Sequence, residues 1–143
     1  MKTMSTLKSD LLVGDVMMPL DRVPVIVRNV IFKEALDEMG RKSIGLVCIV
    51  DHQMQLLGIL TDGDIRRMLL RVQKPFSAFF VDDALDHAIL CPLTVAPGDT
   101  LMSAVRLMGQ KHIWDLPVVS TTGSLVGLLH LHPAVEALLG IDA

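Results

Sequence analysis

The chain has 143 residues, 51% of them hydrophobic, and a formal net charge of −3, enough for one compact domain or two small ones sharing a core. Mean hydropathy is high at +0.51, yet no apolar run approaches the roughly 20 residues of a membrane span, so buried strands rather than membrane helices account for it. With no basic stripe, no Tyr, four Phe and one Trp, nucleic acid is a poor partner, and two unpatterned cysteines suit a reducing cytoplasm better than a disulfide framework.

Residues 1–10, MKTMSTLKSD, lack the apolar stretch of a signal peptide and read as a flexible arm. VPVIV at 23–27 reads as a short strand, and residues 30–39 carry Ile31, Phe32, Ala35, Leu36 and Met39 at helical spacing, with Gly40 as the helix stop. Ile44–Val50 is a buried strand holding Cys48 as a small hydrophobe, Asp51–Gln55 a polar turn, Leu56–Leu60 a second strand and Ile65–Val72 a helix. Residues 73–85, with Pro75 and Asp82-Asp83, read as a connector. Leu93–Val95 is then a strand, with Asp99 or Thr100 capping a helix whose apolar face is Leu101, Ala104, Val105 and Met108. Pro117–Val119 and Leu125–His130 are strands around a Gly-containing turn at Thr121–Ser124, and Ala134–Leu139 is the last helix.

The chain repeats itself. At an offset of 69 residues Ala35 falls on Ala104, Met39 on Met108, Gly40 on Gly109, Val50 on Val119, Gly58 on Gly127 and Leu60 on Leu129, without a gap from Ala35 to Leu70. The fold class is α/β (α+β), two β-α-β-β-α units spanning 11–72 and 86–141 and packed as a pseudo-two-fold pair, since two copies are too few for a solenoid.

The stretch GILTDGDIRRMLL, 58–70, carries the chemistry. A hydroxyl, two carboxylates, a Gly and two arginines meet where a strand turns into a helix, and the first backbone N–H groups of a helix favour anions. Thr61 and Asp64 also form a capping-box pattern, in which the hydroxyl caps the helix and the carboxylate reaches back to the cap N–H. The alternative to capping alone is that Asp64 accepts ribose hydroxyls while Thr61 contacts sugar or phosphate. Arg66 and Arg67 could neutralise a phosphate, at least one of them being a solvated helix residue, and Asp62 reads as a turn residue. A base or sugar ring needs an apolar slot with backbone hydrogen bonds. Met18, Pro24 and the run Gly45, Leu46, Val47 should line it in copy one, and Thr94, Trp114 and Asp115 in copy two. In copy two His130 replaces Thr61 and Pro133 replaces Asp64, so a ribose clamp there is doubtful, although His130 could still reach a ligand. His130 and His132, placed on one face of a strand, read as polar cleft residues rather than a metal site. No catalytic motif stands out, so the chain reads as non-enzymatic.

The repeat order, the GxxTxxD-like end of copy one and the PVV strand of copy two resemble a tandem CBS-domain pair, or Bateman module, over roughly residues 11–140. TDGDIRR followed by GLLHLH in copy two is similar to the C-terminal regulatory pair of bacterial sugar-phosphate isomerases of the arabinose 5-phosphate isomerase type. The resemblance implies a cytoplasmic regulatory sensor that binds AMP, ADP, ATP or a CMP-sugar in the cleft between repeats. It also implies a homodimer through the second helix of each repeat, and coupling to a fused or separate isomerase domain. The alternative is a dimerisation or interaction module without a ligand.

Overall fold

The computed structural model describes residues 10–140. The expected N-terminal arm lies, but for Asp10, outside the described residues. The chain divides into two compact units. The first-repeat unit holds Leu20–Pro92 with Gly123–Leu125, and the second-repeat unit holds the chain up to Pro19, Leu93–Thr122 and the chain from Val126 onward.

In the first-repeat unit, β2 (Val25–Val27), β3 (Leu46–Val50), β4 (Leu56–Thr61) and β5 (Ile89–Leu90) form one sheet in the order β2-β3-β4-β5. The β2–β3 pair is parallel and the others antiparallel, with Leu46 opposite Thr61. All five residues of β3, LVCIV, are buried, which is why an unbroken apolar run rather than an alternating one marks it. Helices α2 (Phe32–Lys42) and α3 (Asp62–Arg71) belong to this unit. Phe32, Ala35 and Met39 of α2 and Met68 of α3 join Val47, Ile49 and Leu60 in its core.

The second-repeat unit takes α1 (Val13–Val16) and β1 (Met18–Pro19) from the N-terminal segment. Here β1 pairs with β7 (Leu125–His130), and β6 (Asp115–Val119) lies on the other side, giving β1-β7-β6. Helices α5 (Leu101–Lys111) and α6 (Leu131–Leu139) cover a core of Leu101, Ala104, Met108, Leu116, Val118, Leu129 and Ala134.

The repeat is written in the backbone as well as the side chains. Ser43 and His112, 69 positions apart, end α2 and α5 in the left-handed region at φ 56° and 55°. Met54 and Gly123, at the same offset, take φ 64° and 87°. The Asp62 N–H donates to the Gly45 carbonyl at 3.0 Å, and the Leu131 N–H donates to the Trp114 carbonyl at 2.9 Å.

Four sequence expectations are corrected. Gly40 does not stop α2, which runs on to Lys42 and ends where Ser43 turns left-handed and its N–H bonds back to the Gly40 and Met39 carbonyls. Leu93–Val95 is not a strand. Val95 makes one isolated parallel bridge to Val118, and the strand falls earlier, at Ile89–Leu90, where the chain then turns at Cys91 with φ 53° before Pro92. The stretch 73–85 contains α4 (Phe76–Phe79), whose Phe79 is buried in the first-repeat core, and Ala84 is buried beside it. Finally, α3 and α6 begin at Asp62 and Leu131, three residues earlier than their apolar spacing suggests, so Asp62 is helical rather than a turn residue.

Candidate functional site

The β4 strand ends at Thr61, and the same residue caps α3. Thr61 has extended backbone, φ −118° and ψ 159°, and its Oγ1 accepts the Asp64 N–H at 3.2 Å. This satisfies one of the donors that a helix start leaves over, and the Gly45 carbonyl satisfies another by accepting from Asp62. The expected capping box is replaced by a tighter arrangement. Asp64 does not reach back to the Thr61 N–H. Instead, the Thr61 hydroxyl donates to Asp64 Oδ2 at 2.7 Å, and Arg67 Nη2 donates to Asp64 Oδ1 at 2.5 Å. Each carboxylate oxygen keeps a second lone-pair direction, so the group retains capacity for a diol. The Asp64 side chain is 19% exposed, within reach of a ligand. Asp62 and Asp64 both stand in the first helical turn, where a negative charge meets the positive end of the helix dipole.

Of the two arginines the sequence offers, Arg67 is the one on Asp64, and both are exposed. The spacing could have told them apart, since residues three apart share a helix face and residues two apart do not. Gly45 is exposed and lies against Asp62, whose Oδ2 would stand 2.6 Å from a Cβ at that position. Pro24, Leu46 and Val47 are buried, so what they can offer a ligand is backbone.

The remaining candidates belong to the second-repeat unit. Met18 is there, paired with Leu128 of β7. The N-terminal segment had been expected to serve copy one, and this pairing could not be read from local pattern. Thr94 is half-buried in irregular chain, and Trp114 stands just before β6 with 69% of its surface exposed. His130 caps α6 with its backbone alone, while its Nδ1 lies 2.7 Å from Asp115 Oδ1. Asp115 occupies the position of Leu46 in copy one. The second repeat thus exchanges an apolar residue and a hydroxyl for a carboxylate–imidazole pair. His132 is not on a strand beside His130. It is exposed in the first turn of α6, 3.6 Å from Glu136, because β7 ends at His130. Pro133 sits in the same first turn, where a missing N–H is tolerated. No group of three His, Cys, Asp or Glu side chains able to hold a metal ion comes together among the described residues.

An open groove of about 530 Å³ lies apart from Thr61, along β2 and α2. Val25, Ile26, Val27 and Val30 share its lining with Glu34, Asp37, Glu38 and Arg41. Three carboxylates against one guanidinium make it unsuited to a phosphate.

Comparison with known proteins follows the same lines. The sequence model of the CBS domain matches residues 13–71 and 88–138. Arabinose 5-phosphate isomerase KdsD of Salmonella typhi is 31% identical over 125 residues, covering 87% of this chain and 37% of that protein. The Escherichia coli K12 protein of the same name gives 31% over 127 residues, again 37% of its length. The chain therefore spans little more than a third of these curated relatives. Among solved structures, CBSX2 in complex with AMP superposes with a TM-score of 0.79 at 28% identity, covering 91% of this chain and 97% of that one. The CBS-pair protein CBSX2 from Arabidopsis thaliana gives 0.78 at 26%, covering 91% and 95%. No helix among the described residues is long and apolar enough to cross a membrane.

Proposed function

Because this chain belongs to the CBS domain family, with two copies in tandem, we propose that it is a non-catalytic sensor whose first repeat holds an adenosine nucleotide at the Thr61–Asp64 helix entrance. One observation carries the reading: a carboxylate and a hydroxyl fixed against each other at 2.7 Å, on the first turn of a ten-residue helix that follows a strand. A carboxylate held in one rotamer accepts the two hydroxyls of a ribose without first losing side-chain freedom. The N-terminal end of the helix and the arginines beyond it offer positive charge to a phosphate. The likeness to a CBS pair that binds AMP supports the ligand class. The likeness to KdsD supports a sugar-phosphate isomerase, fused or separate, as the activity that hears the signal. Binding would report by favouring one arrangement of the chain over another. Homodimerisation belongs to the same reading, with Leu70 on α3 and Leu139 on α6 exposed by 80% and 49%.

The test is a thermal-shift and calorimetry screen with AMP, ADP, ATP, S-adenosylmethionine and CMP-linked sugars, repeated on Asp64→Ala. A rise in melting temperature that disappears in a folded Asp64→Ala protein is the expected result. A rise that survives the substitution removes the Asp64 clamp. No rise with any compound favours the second reading, a ligand-free interaction module. That reading rests on a specific observation too: both oxygens of Asp64 already have partners within the chain.

A further inference from the structure

The Asp64 carboxylate is the group a ribose would seek, and a cation covers half of it. Arg67 Nη2 lies 2.5 Å from Asp64 Oδ1. The guanidinium also lies over Gly63, where Nη1 would stand 3.3 Å from a Cβ. A positive charge is thereby held against the first turn of α3, the end of a helix where the backbone dipole opposes it. Its carboxylate partner is what keeps it there. Arg67 is 60% exposed, so the guanidinium can swing out into solvent while the half-buried Asp64 stays in place.

We propose that Arg67 is a displaceable counter-ion that makes the site prefer phosphorylated nucleosides to neutral ones, an inference that rests on the nucleotide reading above. A neutral nucleoside that bonds to Asp64 competes with the guanidinium for Oδ1 and gives it no new anion. A nucleotide displaces it and supplies a phosphate that the same side chain can engage. The loss of one ion pair is then offset by the gain of another, and the arginine discriminates by charge while Asp64 and Thr61 recognise the sugar. Arg66, two positions from Asp64, stands on another face of the helix and cannot make the exchange.

The experiment measures the dissociation constants of AMP and adenosine for the wild-type chain, Arg67→Met, Arg67→Lys and Asp64→Ala. The wild type should favour AMP on the order of tenfold, as expected for one charge-assisted contact to phosphate. Arg67→Met should tighten adenosine binding roughly twofold to fivefold, the range of a freed exposed ion pair. It should also weaken AMP binding, bringing the two constants together. Arg67→Lys should restore most of the preference. An AMP-to-adenosine ratio in Arg67→Met equal to that of the wild type overturns the role of Arg67. If Asp64→Ala at the same time loses AMP, the nucleotide reading stands without it. A wild-type chain that binds neither compound overturns both.

Discussion

A Cβ added at Gly127 would fall 2.7 Å from the main-chain oxygen of Met18, the residue that β1 brings alongside β7. Its counterpart in the other repeat behaves in the same way. A Cβ at Gly58 would fall 2.9 Å from the oxygen of Ile89 in β5. In each unit a short strand from elsewhere in the sequence passes over a glycine, and in each the obstacle is backbone, which cannot swing aside. Gly127→Ala and Gly58→Ala should each destabilise the fold by about 1–3 kcal/mol, the usual range for overpacking. Gly40→Ala and Gly109→Ala should do the opposite. Both glycines sit inside helices with nothing within 4 Å of the new atom, and each substitution should add roughly 0.5–1 kcal/mol through helix propensity. Urea unfolding of the four variants separates the two classes. Similar destabilisation at Gly40 and Gly58 would contradict the account of where backbone closely approaches backbone.

The segment that the sequence presents as a connector is anchored by Phe79, which is 1% exposed and joins the core with Phe32 and Met39. His87 packs edge-on against both rings, at 5.5 Å from Phe32 and 5.8 Å from Phe79. Phe79→Ala should cost about 3–5 kcal/mol, the penalty of a buried aromatic and not of a linker residue. Chemical denaturation measures it directly, and a loss below 1 kcal/mol would mean that the segment is a tether after all.

Most of the architecture could be read from residue order because its signals are local. The β3 run LVCIV is apolar throughout, and the α5 cap at Thr100 is an ordinary hydroxyl cap whose Oγ1 accepts the Ser103 N–H at 3.2 Å. The internal offset of 69 then supplied a second copy against which to check each element. What escaped the sequence depends on partners far along the chain. Nothing near Met18 announces that it pairs with Leu128, and nothing near Ile89 announces Ile59. The end of α2 falls at Ser43 and not at Gly40 because Ser43 adopts the left-handed turn that glycine usually takes, while Gly40, three residues earlier, stays helical. Spacing alone put Thr61 at the cap of α3 with Asp64 in its first turn. Their mutual hydrogen bond and the guanidinium on the second oxygen were not legible, since rotamers choose among several partners that spacing permits.

Thr61 holds α3 in two ways, by accepting the Asp64 N–H and by donating to the Asp64 carboxylate. Thr61→Val keeps the shape and β-propensity of the strand end but removes both bonds. It should lower stability by about 1 kcal/mol, the cost of a lost cap, and weaken nucleotide binding beyond that, because Asp64 is freed to turn. Thr61→Ser should retain both properties. Equilibrium unfolding gives the first quantity and calorimetry with AMP the second. A valine variant that unfolds earlier but binds unchanged would confine Thr61 to capping.

Asp82 joins the tail of the connector segment to the same core. Its Oδ2 accepts from Lys74 Nζ at 2.8 Å and lies 2.8 Å from His87 Nε2. The bond from Lys74, followed by that to His87, holds the Asp82 carboxyl below the ordinary aspartate range. A carboxylate with a lowered pKa in the folded state stabilises that state wherever the unfolded chain would be ionised. Its contribution is therefore present above the unfolded value of about 3.9 and is lost as pH falls through the lower folded value. Thermal melts of the wild type should accordingly fall more steeply between about pH 5 and pH 3 than those of Asp82→Asn, which has no charge to lose there. Parallel melting curves across the acid range would show that Asp82 does not couple proton binding to folding, and would leave Lys74 and His87 as packing contacts around Phe79.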